Sequence, residues 1–153
     1  MSKKQLAQAE KTILKYAGIS ASTGLIPFLL TDVAILTVIQ LKMLQKLSII
    51  YELPFSKNIA QPIIASLLGG SIPLSMSSNL IRIIPIYGTI IGIVSRSSFS
   101  SASSYAIGKV FIQHFETGGT LLSFDAEKMK NYYQQQFKQD DLKSQQTFTG
   151  IKP

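Results

Sequence analysis

The chain has 153 residues, 46% of them hydrophobic and only 15% charged, which excludes a disordered tail, a coiled coil, a collagenous chain and a disulfide scaffold. Fifteen Lys+Arg against eight Asp+Glu leave a formal charge of +7, yet the mean hydropathy is +0.25, so the positive charge does not by itself argue for nucleic acid. Placement reconciles the two figures: from residue 58 through 108 the only charges are Arg82 and Arg96, and the lysines crowd toward the ends.

Residues 1–18 place Leu6, Ala9, Ile13, Tyr16 and Ala17 at helical spacing, with Lys3, Lys4, Lys11 and Lys15 on the other face. This is an amphipathic helix expected to stop near Gly18, either as a solvated surface helix or as a basic helix lying on anionic lipid. The stretch that follows is interrupted by Pro27 and Asp32 and lacks a small-residue cleavage site, so it reads as mature protein rather than a secretory signal. The compartment expected is the cytoplasm or a membrane face touching it.

Thr31 or Asp32 can cap a helix from about Val33 to Tyr51, roughly 28 Å long, which Pro54 would end. Its first half is apolar nearly all round, while Lys42, Gln45 and Lys46 bring its second half to solvent. Asp32 is most simply the cap. Asp32 and Gln40 are eight residues apart, about 800° of rotation, and therefore share a face on which a buried polar network can form.

Asn58 to Ile81 runs 24 residues without a charge, enough to span a bilayer, but holds Pro62, Gly69-Gly70 and Pro73. Two short helices forming a hairpin are expected, with Pro62 in a first turn and the diglycine at an end or hinge. The 13 uncharged residues between Arg82 and Arg96 are too short to cross a hydrocarbon core of roughly 30 Å and read as a buried, re-entrant or kinked piece. Gly88 and Gly92 share one face, as do Ser100, Ser104 and Gly108, so two neighbouring helices are expected to carry small-residue stripes that permit close backbone approach.

Gly118-Gly119 ends the next helix, and Ser123 or Asp125 caps a last one in which Met129, Tyr133 and Phe137 recur every fourth residue. Beyond about Asp140 the pattern lapses and a flexible tail is expected. The organisation read from the sequence is thus a basic helix over 1–18, a helical domain over 19–139 and a tail over 140–153. The fold class is all-α, a bundle of about five to seven helices.

Most site chemistry is missing. With no cysteine there is no thiolate nucleophile or thiolate metal site. No glycine-rich turn leads into Lys-Ser/Thr, so there is no Walker loop. His114 is the only histidine, which leaves neither a relay with a serine and an acid nor metal-ligand spacing. No enzyme, cofactor or metal is expected. The basic residues do not interleave with aromatics in a stripe, and no nucleic-acid partner is expected either.

The run Ile26-Pro27-Phe28, Asp32, Leu36, Gln40, Met43 and Ile49-Ile50-Tyr51 resembles the signature of the YcjF-like proteins, a domain of unknown function. Leu80 to Pro85 with Gly88 resembles that family's second Ile-Pro segment, and Ala102, Ala106, Ile107, Gly108, Phe111 and Phe115-Glu116 resemble a later helix. The resemblance covers about Leu25 to Phe137. It departs at Ile86, where the family has glycine, and at Ser103 or Ser104, where it has threonine. It implies an all-α, hydrophobic, membrane-associated domain acting beside a small GTPase of the Era/Obg type, and it implies no catalysis.

Three readings follow. The first is a non-enzymatic membrane-associated accessory protein, integral with a transmembrane helix or peripheral, with its basic ends toward anionic lipid. The second is a soluble α-helical interaction or oligomerisation module. The third, a colicin-like pore former, rests only on a hydrophobic hairpin among polar helices.

Overall fold

A computed structural model describes residues 2–23, 29–69 and 90–149. Within them are five α-helices and a single 3-10 turn: α1 (Lys3–Thr23), α2 (Leu29–Ile50), α3 (Lys57–Gly69), α4 (Ile90–Glu116), the turn Leu121–Ser123 and α5 (Ala126–Thr149). No strand occurs among the described residues, and the all-α class expected from the periodicities is what the chain adopts.

α4 is the central element. It packs most extensively on α5 and α1, while α2 rests on α1, α4 and α3. Antiparallel pairing accounts for the order. Gln5 donates its side-chain amide to the Ile50 carbonyl at 3.3 Å, tying the start of α1 to the end of α2. Phe99 and Phe137 meet edge to face at 5.5 Å, closing α4 on α5, and Phe111 stacks at 4.5 Å on Phe124 of the connection between them. The core between the helices contains Ile13, Met43, Leu44, Leu47, Ile64, Leu67, Ile107, Val110, Phe111, Phe115 and Tyr133, all fully buried. Each fully buried side chain of this size contributes about 1.5–3 kcal/mol, which outweighs the weak helix preference of the many serines and β-branched residues.

The ends of the helices follow local rules. Ser2 accepts the Lys4 amide at 3.2 Å, and its own amide donates to Gln5 at 3.0 Å, a reciprocal cap at the start of α1. Asp125 accepts the Glu127 and Lys128 amides at 3.1 and 3.2 Å, so of the two expected caps Asp125 is the one that starts α5. These hydrogen bonds to the ionised carboxylate hold its pKa below the usual range. α4 ends where Gly118 takes φ +83, with its amide bonded to Phe115 and that of Gly119 to His114. α2 ends in the same way, except that its left-handed residue is Glu52, at φ 56, with the Leu53 amide bonded to Ser48.

Several expectations are corrected. α1 does not stop near Gly18 but runs to Thr23, because Ala17 and Ser20 continue its buried face and a glycine stays helical when packing rewards it. Pro62 lies inside α3 rather than in its first turn; the described helix runs to Gly69, and Gly70 lies outside the described residues. Gly92 and the Ser100, Ser104, Gly108 stripe belong to one continuous helix, α4, and not to two neighbours; no proline or glycine interrupts it between Ile93 and Ile107. Beyond Asp140 the chain is still helical to Thr149, since Gln, Lys and Leu propagate a helix already started at Asp125. A transmembrane helix does not occur among the described residues, none of whose helices is long and apolar enough to cross a membrane. Pro27, Pro85 and Gly88 lie outside the described residues, as does the second arm of the expected 58–81 hairpin.

Candidate functional site

The α1–α4 seam is where sequence-selected residues converge. Gly108 faces Ile13 so closely that a Cβ built on it falls 2.3 Å from Ile13 Cγ2 and 2.8 Å from Ile13 Cβ. Only glycine fits there without moving a helix. One turn earlier Ser104, fully buried, shares a 2.6 Å hydrogen bond with Ser20 of α1. One residue later Lys109 pairs with Glu10 and lies 5.6 Å from the centre of the Tyr105 ring. Burial opposes the Lys109 charge, but the hydrogen bond to Glu10 and its negative charge outweigh that, and the ammonium pKa is raised.

A second polar group closes the far end of α4. Tyr51 donates its hydroxyl to Glu116 at 2.6 Å while packing on Phe115. Burial, the hydrogen bond to Glu116 and the negative charges of Glu116 and Glu10 all push the phenol pKa far up. His114 donates Nε2 to the Thr120 carbonyl at 2.9 Å, sits edge-on to Phe124 and covers Gly119 so tightly that a Cβ there would meet the ring at 2.3 Å. The lone histidine is thus committed to holding the α4–α5 connection. Beside it a shallow apolar groove of about 140 Å³ is lined by Pro54, Phe55, Ile59, Leu121 and Leu122; it holds no charged side chain.

Gln40, fully buried on α2, has neither amide atom hydrogen-bonded among the described residues, and the same holds for the hydroxyls of Ser48 and Ser103. Asp32 lies in the first turn of α2; its side chain is outside the description, so no polar network between it and Gln40 is seen. Gly92 lies in the first turn of α4. Among the described residues there is no group of three His, Asp or Glu that could hold a metal ion.

Lys3, Lys4, Lys11 and Lys15 all project into solvent from α1, and Lys42 and Lys46 do so from α2. None of the six forms an ion pair among the described residues, whereas Lys109 pairs with Glu10, Lys128 with Asp125 and Lys130 with Glu127. Sequence reading missed the Glu10–Lys109, Tyr51–Glu116 and Ser20–Ser104 contacts. They join residues 99, 65 and 84 apart, and no local pattern signals such a pairing.

The geometry can be set beside known proteins. The model of the family described as "Domain of unknown function (DUF697)" matches residues 1–141. The chain is also 38% identical over 133 residues to "Magnetosome membrane protein 22" of Magnetospirillum gryphiswaldense, an alignment covering 84% of this chain and 68% of the relative. No solved structure matches it.

Proposed function

The chain belongs to the DUF697 family, and from that premise we propose that it is a non-enzymatic, membrane-associated helical accessory protein. The observation that carries the proposal is the 38% identity, over most of the chain, to a protein described as a magnetosome membrane protein. A membrane setting also suits the 51 residues from 58 through 108 with only two charges. No metal cluster occurs among the described residues. Ser123 Oγ lies 3.4 Å from His114 Nε2, but that nitrogen donates to the Thr120 carbonyl and so keeps no lone pair with which to act as a base, while Glu10 is spent on Lys109 and Glu116 on Tyr51. The resemblance to YcjF-like proteins adds a partner, a small GTPase encoded separately, on which the bundle would act by docking.

Fractionation tests this. The protein should sediment with membranes from cells that make it, and alkaline carbonate separates an integral from a peripheral attachment. Recovery wholly in the soluble fraction would overturn the membrane reading. Crosslinking in native membranes followed by pull-down should recover a GTPase if the partner is of that class.

A second reading, a soluble interaction or oligomerisation module, is favoured by one observation. Among the described residues the helices bury their apolar faces against one another and none can cross a membrane. A monodisperse oligomer purified without detergent would support it.

A further inference from the structure

We propose that the solvent face of the antiparallel α1–α2 pair is the surface that lies on anionic lipid. The proposal rests on the membrane reading above and deepens it by naming the surface and the lipid class. On α1, Ile13 is fully buried, and Lys4, Lys11 and Lys15 lie nine residues before it, two before and two after, about 160–200° round the helix. They therefore form a ridge directly opposite the core, flanked by exposed Leu14 and Ile19. On α2, Val38, Lys42, Gln45, Lys46 and Ile49 are all exposed and recur at helical spacing, alternating apolar and basic groups.

Two features set this face apart. Its five lysines and Lys3 are without ion pairs among the described residues, whereas Glu10, the acid within α1, is turned to Lys109; Glu52 stands beyond the end of α2. Of the seven large apolar side chains exposed among the described residues, Leu6, Leu14, Ile19, Val38 and Ile49 lie on α1 and α2, and only Leu122 and Leu142 lie elsewhere. Isolated exposed leucines need no explanation, and Leu6 lies on the core side of α1, but Leu14, Ile19, Val38 and Ile49 beside uncompensated lysines form a pattern.

An anionic bilayer satisfies both halves of the pattern at once. The lysine stems extend their ammonium groups to the headgroups while the aliphatic side chains enter the acyl boundary. Each helix is roughly 32 Å long, so the pair can lie flat along a surface. Phosphate backbones of nucleic acid would use the lysines but leave the aliphatic side chains in water, and the face lacks the aromatic platforms that bases stack on.

The test uses the purified full chain with vesicles of phosphatidylglycerol and phosphatidylcholine, or of phosphatidylcholine alone, read by flotation. Lys11, Lys15, Lys42 and Lys46 are replaced together by glutamine; a control replaces Lys128, Lys130, Lys138 and Lys143, an equal loss of charge on α5. Each lysine near an anionic surface is worth about fivefold in partitioning, so the first variant should lose more than about a hundredfold and the control little. Leu14→Ser with Ile49→Ser should weaken binding further while helix content stays unchanged. Equal loss in both lysine variants would overturn the assignment to this face, and so would equal binding to the neutral vesicles, although the membrane reading would then survive. No binding to either vesicle together with soluble recovery from cells would overturn both. Binding to duplex DNA instead of vesicles would overturn the lipid assignment in favour of nucleic acid.

Discussion

Replacing Gly108 with alanine should destabilise the protein even though alanine is the better helix former. In an open helical position the change gains about 1 kcal/mol. Here the new Cβ would sit 2.3 Å from Ile13 Cγ2, against a normal carbon-carbon contact of about 3.5–4.0 Å, so the seam must open by about 1.2 Å. Ile13 cannot swing away, because a β-branched side chain in a helix is held to one rotamer and this one is fully buried. Overpacking of this kind costs about 1–3 kcal/mol, and the rigidity of the neighbour places it at the upper end, leaving a net loss of about 1–2 kcal/mol. Gly18 supplies the control: it lies in α1 with nothing within 4 Å of a built Cβ, so Gly18→Ala should gain about 1 kcal/mol. Thermal melts followed by far-UV circular dichroism should move in opposite directions, by about 2–4 °C for each kcal/mol in a chain of this size. In an Ile13→Ala background the cost of Gly108→Ala should fall but not vanish, because the Cγ2 clash goes while the Cβ that alanine keeps is still 2.8 Å away. If Gly108→Ala melts as high as Gly18→Ala, the close approach of α1 and α4 is wrong.

Glu52→Gly should stabilise by about 1 kcal/mol, because the left-handed conformation at φ 56 strains any residue with a Cβ, and denaturant midpoints will show it. Gln40→Met keeps the volume and removes two buried polar atoms that lack partners among the described residues, so stability should rise by up to about 1–3 kcal/mol; a loss would mean that Gln40 is hydrogen-bonded from outside them. Tyr51 and Lys109 both have raised pKa values in the folded state, so the stability they contribute is complete below their unfolded values of about 10 and is lost as pH rises past them. Tyr51→Phe should lower stability by about 1 kcal/mol at neutral pH and flatten the alkaline decline in pH-dependent melts. Asp125 has the opposite sign: its pKa is lowered, so its contribution is present above the unfolded value of about 3.9 and fades as acid protonates it, and Asp125→Asn, which keeps the cap, should melt higher than Asp125→Ala.

What the sequence determined by itself is what local physics can encode. Helical spacing, the Asp125 cap, the Gly118 end and the charge-poor middle are all readable from the sequence, and they yield an all-α bundle with basic edges. The small-residue stripe of Ser104 and Gly108 announced close approach but not to what, since a stripe carries no address. Tertiary structure decided that α1 is the neighbour, and in doing so carried that helix past Gly18, whose own preference is to stop. It also decided which lysine is paired: Lys109 and the α1 lysines look alike in sequence, and only folding brings Glu10 to Lys109. The ridge of Lys4, Lys11 and Lys15 is left facing outward. Burial acts between residues nearly a hundred positions apart, and no window along the chain contains both.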